Sequence, residues 1–194
     1  ASDNLIYLCY NCLDKIVRQK SLNKVGDTYY IWPYKGEFRK LLLEYKNNSR
    51  LALGKIISSL IEEEIFKVVY EEDIDYIVPI PINFRREQIR GFNQVEEILK
   101  NLNYSFLKTN RVKNTKKMFK ILDKEKRENN IKNSFKVDKE FKAKNILIFD
   151  DIITTGATIE EFKRELIKNG EVNKIVVFSL SASKTYMNSN KRMC

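Results

Sequence analysis

Short apolar runs alternate with polar and charged stretches along this chain of 194 residues. Brief runs rich in β-branched or aromatic residues predict β-strands at 28–32, 76–81, 146–149 and 174–182. The segment 51–66 instead repeats its apolar residues at helical spacing and predicts a helix. Strands and helices that alternate in this way predict an α/β fold with a parallel sheet and right-handed crossovers.

The run at 146–149 is continuously apolar, which predicts a central parallel strand covered on both faces. Asp150 and Asp151 follow at its carboxyl end. Ligands of open α/β sheets bind in the crevice outside the carboxyl ends of the strands. A turn rich in hydroxyl groups comes next and predicts an anion-binding loop made of Thr154, Thr155, Gly156, Ala157 and Thr158.

This order of residues predicts a site for a ribose 5-phosphate group. Adjacent carboxylates accept hydrogen bonds from the two ribose hydroxyls, and Gly156 lets backbone N–H groups approach the phosphate closely. An alternative interpretation is structural: the aspartates end a strand, and Thr158 and Glu161 form a capping box for a helix that closes at Asn169. Both interpretations can hold together.

The segment 145–161 resembles the phosphoribosyl pyrophosphate (PRPP) binding motif of type I phosphoribosyltransferases. The segment 78–97 resembles the signature of the ComF family, the phosphoribosyltransferase-like proteins of DNA uptake, and 126–135 resembles the lid region of that family. The resemblance spans nearly the whole chain. It implies the type I phosphoribosyltransferase fold, a mainly parallel open sheet with flanking helices and an N-terminal hood. The most recognisable residues are Arg90, Gly91, Phe92, Asn93 and Gln94.

Three arginines after the strand at 76–81 predict a pyrophosphate site. Arg85, Arg86 and Arg90 carry guanidinium groups, which bind phosphate in a bidentate manner and stay charged. The alternative is a solvated basic loop before a helix capped by Asn93, with Glu96 three residues on. In the phosphoribosyltransferase interpretation, Asp150 and Asp151 are the catalytic residues that bind the ribose diol, the turn 154–158 binds the 5-phosphate, and Arg85 or Arg86 binds the pyrophosphate.

The polar, lysine-rich stretch from 108 to 144 is too long for an ordinary connection, so it predicts either a functional lid or a disordered insert. A lid would exclude water from the reacting sugar and bring cations to the leaving group. The resemblance implies a lid at about 112–134, with Lys117 and Arg127 at the pyrophosphate. Met118 departs from the family pattern, which commonly has glutamine there.

Composition limits the function further. The length and the 43% hydrophobic content predict one domain, and the formal charge of +10 suits polyanions such as PRPP or DNA. The absence of histidine excludes a serine–histidine triad. No apolar run is long enough to cross a bilayer and no signal peptide is evident, so we expect no membrane insertion and a cytoplasmic location.

Cys9 and Cys12 form one C-x-x-C pair, which is half of a four-cysteine zinc site. ComF proteins usually carry an N-terminal zinc ribbon, so the resemblance implies that 1–27 is a remnant of such a region, ahead of a phosphoribosyltransferase-like domain at 28–194. Zn²⁺ at Cys9 and Cys12, a metal shared between chains, and two reduced surface thiols remain alternatives.

The sequence therefore predicts a PRPP-binding protein of DNA uptake that transfers a phosphoribosyl group with Mg²⁺. The alternative is a competence factor without catalysis that binds single-stranded DNA or a ComFA-type helicase and keeps the PRPP pocket as a relic or sensor. Nothing in 28–50 identifies the acceptor base, and the oligomeric state is equally open.

Overall fold

The computed structural model describes residues 8–47, 50–112, 132–137 and 140–190. Its main element is a five-stranded sheet in the order β1-β2-β7-β6-β3, and a second pair, β4-β5, forms a small separate sheet. The helices are α1 Tyr10–Arg18, α2 Gly36–Asn47, α3 Leu51–Glu71, α4 Phe84–Arg90, α5 Gln94–Asn101, α6 Ala157–Lys168 and α7 Lys184–Asn190. The strands are β1 Asn23–Val25, β2 Thr28–Pro33, β3 Tyr76–Pro79, β4 Asn110–Arg111, β5 Phe135–Lys136, β6 Phe141–Ile153 and β7 Gly170–Ala182.

The main sheet is parallel except at one edge. Strand β6 lies between β3 and β7, β7 also pairs with β2, and all three pairings are parallel. Only β1, at the edge, is antiparallel to its neighbour. The predicted α/β class and its mainly parallel sheet with flanking helices are confirmed. The carboxyl ends of β3, β6, β7 and β2 therefore meet at one edge of the sheet.

Each face of the sheet is covered. Side chains of β6 alternate between two cores, as the pleat of a strand requires. Leu147 and Phe149 pack with residues of α1, α2, α3 and α5. Ile146 and Ile148 pack on the other face with residues of α6 and with Phe135 of β5. The prediction that 146–149 is a strand buried on both faces is correct.

The described part of the segment 1–27 belongs to the same core. Ile16 of α1 is buried, and its carbonyl oxygen accepts a hydrogen bond of 2.9 Å from Nε1 of Trp32. The Trp32 ring stacks on Phe38 of α2 with ring centroids 4.0 Å apart. The predicted boundary between residues 27 and 28 falls within the β1-β2 hairpin.

Most predicted elements are present with shifted ends. The helix predicted at 51–66 runs from Leu51 to Glu71. The strand predicted at 76–81 ends at Pro79, although the Ile80 N–H still donates to Phe149 O at 2.9 Å. In the described ranges, no helix is both long enough and apolar enough to cross a membrane.

Candidate functional site

Two carboxylates lie at the carboxyl end of β6, as the sequence predicts. Asp151 is buried with 6% of its surface exposed, and Asp150 is half-buried. The Asp151 N–H donates to Asp150 Oδ1 at 2.8 Å. Burial, and then the negative charge of Asp151, raise the pKa of Asp150 to about 7. The pair therefore concentrates negative charge that water cannot fully solvate.

Asp151 is held by two helices from the opposite side of the site. Lys46 of α2 places Nζ 2.7 Å from Asp151 Oδ2. Gln94 of α5 donates a hydrogen bond from Nε2 to the same oxygen. Arg90 in turn donates from Nη1 to Gln94 Oε1. A continuous polar chain thus joins the RGFNQ segment to the predicted ribose site.

Three arginines surround the carboxylates. Desolvation lowers the pKa of Arg86 and of Arg90, and both guanidinium groups lie in the field of Asp151. Desolvation, followed by repulsion from Arg86, lowers the pKa of Arg111 to about 10, so this side chain also stays charged at neutral pH. With Lys46, four cationic side chains lie near the two carboxylates. The cluster therefore has a net positive charge, which suits a polyanion.

The two adjacent arginines predicted to bind pyrophosphate take different positions. Arg85 is exposed, whereas Arg86 is half-buried beside the carboxylates. Helix α4 begins after Asn83, whose side chain accepts a hydrogen bond from the Arg85 N–H. Arg85 and Arg86 are consecutive residues of this helix, so their side chains point in different directions. Of the two candidates, Arg86 is therefore the one that faces the site.

Residues around Asn93 fix the position of α5. The Asn93 side chain accepts a hydrogen bond from the Val95 N–H, so it caps α5 as the sequence predicts. Its Nδ2 also donates to Ile80 O at 3.2 Å and to Glu96 Oε1 at 3.0 Å. The capping role is real, and the same residues also bring Gln94 to the carboxylates.

The predicted anion-binding turn connects β6 to α6. Thr154, Thr155 and Gly156 form the turn, and the helix starts at Ala157. Gly156 has φ +81°, a left-handed conformation that glycine adopts without strain. The first N–H groups of a helix have no partner within it, so they are available to an anion at this position.

The capping-box interpretation of Thr158 and Glu161 is wrong. The N-cap of α6 is Gly156, with no side-chain capping bond, because its left-handed backbone starts the helix before Thr158. Glu161 instead accepts a hydrogen bond of 2.6 Å from the backbone N–H of Asn133 and pairs with Arg164 at 3.0 Å. Glu161 thus joins α6 to the segment that precedes β5.

Helix α7 packs against the anion-binding turn. A Cβ atom built on Gly156 would lie 3.3 Å from Cε2 of Tyr186. The Tyr186 hydroxyl donates to Thr28 Oγ1 at 2.9 Å, and Ser183 Oγ donates to Thr154 O at 2.6 Å. Ser183, which follows β7, and Tyr186 of α7 therefore hold the turn in place.

Part of the predicted lid lies outside the described residues. The structure does not describe Lys117, Met118 or Arg127, so their predicted roles stay predictions. The described flanks of this segment do lie near the site. Arg111 of β4 pairs with Phe135 of β5, and its guanidinium carbon lies 5.2 Å from the centre of that ring.

The zinc prediction rests on a pair of thiols. Cys9 caps α1, and its Sγ lies 2.9 Å from Cys12 Sγ. This hydrogen bond is the main cause that lowers the pKa of Cys9 and raises the pKa of Cys12. In the part of the chain that the structure describes, no group of three or more His, Cys, Asp or Glu residues could hold a metal ion. Zinc binding stays a prediction.

Sequence reasoning missed Lys46 and gave Gln94 no role. Tyr45 and Lys46 resemble part of the ComF pattern, but the interpretation preferred for them from the sequence was core packing or a helix face. The contact of Lys46 with Asp151 joins residues that are far apart along the chain. Gln94 was visible only as part of the RGFNQ pattern. The signal in the sequence was Asp151 itself. A carboxylate at the end of a buried strand needs a cationic or hydrogen-bonding partner, and that need should have prompted a search for one.

Comparisons with known proteins identify relatives over most of the chain, although no family model matches it. The chain is 26% identical over 171 residues to the DNA utilization protein YhgH of Escherichia coli, covering 84% of this chain and 72% of that protein. It is 30% identical over 161 residues to Competence protein ComFC of Streptococcus pneumoniae, covering 77% and 66%. It is 32% identical over 188 residues to Competence protein F of Haemophilus influenzae, covering 89% and 77%.

Solved structures with a similar course of the chain include two phosphoribosyltransferases. A hypoxanthine phosphoribosyltransferase from Staphylococcus aureus superposes with a TM-score of 0.42 at 13% identity, covering 69% of this chain and 66% of that one. An adenine phosphoribosyltransferase from Leishmania tarentolae gives 0.44 at 12% identity, covering 86% and 96%. The family assignment rests on the sequence relatives alone. Because the match to Competence protein F reaches 32% identity and covers 77% of that protein, this chain belongs to the ComF family of competence proteins.

Proposed function

We propose that this protein binds PRPP at the carboxyl edge of its sheet and, with Mg²⁺, transfers the phosphoribosyl group to an acceptor in the cytoplasm. The observation that carries the proposal is the succession of Asp150 and Asp151 at the carboxyl end of β6 and, a few residues on, a helix that starts after Gly156. Carboxylates suit the ribose hydroxyls, and helix N–H groups suit the 5-phosphate. Only a few residues of the chain separate the carboxylates from the start of the helix, so the two can bind the two ends of one ribose phosphate.

The cations account for the remaining part of the ligand. Arg86, Arg90 and Arg111 are charged, desolvated and close to Asp150 or Asp151. Guanidinium groups in a poorly solvated site bind phosphate oxygens strongly, since little water competes for them. We assign them to the pyrophosphate group, beside the sugar carbon that it leaves.

The proposed reaction needs no side-chain base. The bond from the sugar C1 to the pyrophosphate oxygen breaks with its electron pair leaving on pyrophosphate, and the acceptor supplies a new pair to C1. The proton that the acceptor then loses passes to the departing pyrophosphate or to water. Arg86, Arg90 and Arg111 stabilise the charge on the departing group, while Asp150 and Asp151 orient the ribose. In the proposed complex, the negative charge of Asp150 and Asp151 also favours the positive charge that develops on the sugar ring.

Magnesium fits this arrangement as a companion of the ligand. The ribose hydroxyls and pyrophosphate oxygens of PRPP are hard oxygen donors of the kind that Mg²⁺ prefers. The residues that surround them are cations and two carboxylates already engaged with neighbours. When bound, Mg²⁺ spreads the negative charge of the pyrophosphate.

Calorimetric titration of Mg²⁺ and PRPP tests the proposal. The wild type should bind saturably, and Asp150→Asn/Asp151→Asn should bind at least about 100-fold more weakly, since two charge-assisted acceptors are lost. Asp73→Asn/Asp75→Asn makes the same change of charge next to β3 at the opposite end of the sheet and should bind like the wild type. No binding by the folded wild type would contradict the proposal. Release of pyrophosphate with a panel of acceptor bases then tests for turnover.

The names of the relatives favour a second candidate, a DNA-binding competence factor without catalysis. They are called competence or DNA utilization proteins. The formal charge of +10 also suits a polyanion. In this candidate, replacing Lys113, Lys116 and Lys117 with glutamine should abolish binding of single-stranded DNA or of a helicase partner. Asp151→Asn should leave that binding intact, which separates the two candidates.

A further inference from the structure

Lys46 stands at a point where α2 is fixed tightly against the site. The preceding residue, Tyr45, is fully buried, and its hydroxyl donates to Gln94 O at 3.0 Å. A Cβ atom at Gly54 would lie 2.9 Å from that hydroxyl, so only glycine leaves room for Tyr45 there. The end of α2 is thus held between α3 and α5, and Lys46 has a defined position.

The ion pair between Lys46 and Asp151 is nearly shielded from solvent. Nζ lies 2.7 Å from Oδ2, and the side chains are only 14% and 8% exposed. A shielded lysine loses most of its hydration as well as its rotamer freedom, whereas the charges of an exposed surface pair stay hydrated. The pair joins α2 to β6, and its two residues lie more than a hundred positions apart in the chain.

Two donors act on one oxygen of Asp151. Lys46 approaches Oδ2 from α2, and Gln94 donates to Oδ2 from α5. Donors from two separate helices restrict the rotation of the carboxylate.

We propose that Lys46 is a positioning residue of the ribose site: it holds the carboxylate of Asp151 in the orientation that accepts the ribose hydroxyls. The proposal rests on the ribose-phosphate function proposed above and extends it to a residue on α2. Lys46 acts through Asp151, so its contribution concerns the ribose part of the ligand and is independent of the pyrophosphate group.

The test is a double-mutant cycle read with two ligands, PRPP with Mg²⁺ and ribose 5-phosphate. Lys46→Met should weaken binding of both ligands by the same factor, about 30-fold, because one charged hydrogen bond to Asp151 is lost. In the Asp151→Asn background the same change should have less than about threefold effect. Lys46→Arg keeps the charge and should bind within about threefold of the wild type. Lys40→Met on the exposed side of α2 is the matched control.

Each result separates this proposal from its rivals. An unchanged affinity in Lys46→Met, or an equal loss in the wild-type and Asp151→Asn backgrounds, would overturn the positioning role while leaving the ribose-phosphate function intact. A loss confined to PRPP would also overturn it, by making Lys46 a pyrophosphate contact. A wild type that binds neither ligand would overturn both proposals. Thermal unfolding of every variant shows whether a loss of binding reflects a loss of folding.

Discussion

The two ends of the parallel sheet carry charged clusters that are built in opposite ways. At the amino end, Glu72 accepts hydrogen bonds of 2.8 Å from Lys24 and from Lys174 and one from the Tyr29 hydroxyl. These bonds, with that from Lys174 first, lower the pKa of Glu72 to about 2. We call these four residues the Glu72 cluster. Each donor in it meets an acceptor, and the charged form of the carboxylate is favoured.

At the carboxyl end, Asp150 and Asp151 are adjacent on one strand, and burial raises the pKa of Asp150 to about 7. Arg86 and Arg111 are desolvated and repel each other. Charges here are costly for the free protein, in contrast to those of the Glu72 cluster. Groups whose pKa is displaced against their charged form mark sites where a ligand supplies what the fold lacks. The comparison therefore supports the proposed ligand site at the carboxyl end and a structural role for the Glu72 cluster at the amino end.

Among the tests of this comparison between the two ends, the largest expected effect comes from Arg86→Met. It removes a desolvated cation beside Asp151, so the affinity for PRPP should fall about 30-fold, while that for ribose 5-phosphate should fall by less than about threefold. Calorimetry with both ligands measures the difference. Arg85→Met, one residue away and exposed, should change neither affinity. Equal effects of the two substitutions would remove Arg86 from the pyrophosphate site.

Glu72→Gln tests the amino end. The variant should lose about 1–2 kcal/mol of unfolding free energy at pH 7, a value that allows for the solvent exposure of the lysines. Because the folded pKa lies below the ordinary value of 4.5, the difference from the wild type should be constant above that pH and shrink as the pH falls toward about 2. Denaturant unfolding measures it.

The neighbouring Glu71→Gln is the control for this prediction. Glu71 is exposed and pairs with Lys67 at 3.8 Å, so its replacement should have little effect on stability. Both variants should bind PRPP like the wild type. A loss of PRPP affinity in Glu72→Gln alone would contradict the structural role of the Glu72 cluster.

Gly156→Ala tests the anion-binding turn. The positive φ of +81° strains any side chain, and the new Cβ would press on Tyr186, so we expect a stability loss of about 1 kcal/mol. The affinity for ribose 5-phosphate should fall about tenfold because the N–H groups shift. Gly26→Ala imposes a similar strain at φ +59° in open space. It should lower the melting temperature and leave binding unchanged, and weaker binding there would show that strain alone explains the result.

The smallest effect concerns the stability of Asp150→Asn. The folded pKa of Asp150 lies above its ordinary value of 3.8, so the aspartate costs stability as the pH rises toward about 7 and above. The variant should melt about 2–4 °C higher than the wild type at pH 8, with the gain shrinking toward pH 4. Scanning calorimetry at several pH values measures it.

Asp75→Asn should show the opposite sign. Hydrogen bonds from Lys144 and from the Asn145 N–H lower the pKa of Asp75. Its removal should therefore lower the melting temperature at pH 8, with the loss shrinking as the pH falls below 3.8. A stability gain in both variants would show that the loss of any aspartate charge, and not its position in the fold, causes the effect.

Local patterns predicted much of the fold. The strands around 146–149 and 174–182 were recognisable because continuous β-branched runs rarely serve another purpose. The caps differed: Asn93 was predictable because its own side chain makes the bond, whereas Gly156 became the N-cap through a backbone conformation that Thr158 does not reveal. The contact of Lys46 with Asp151 was not predictable, since its partner lies on β6 and the packing of α2 against α3 and α5 brings them together.

A crystal structure of the protein with PRPP and Mg²⁺ is the most direct test of the proposed site. We expect the ribose hydroxyls to lie within hydrogen-bonding distance of the carboxylates of Asp150 and Asp151. We expect the 5-phosphate at the N–H groups that start α6 and the pyrophosphate beside Arg86. A ribose that lies away from both carboxylates, with its phosphates bound elsewhere on the protein, would contradict the proposed function.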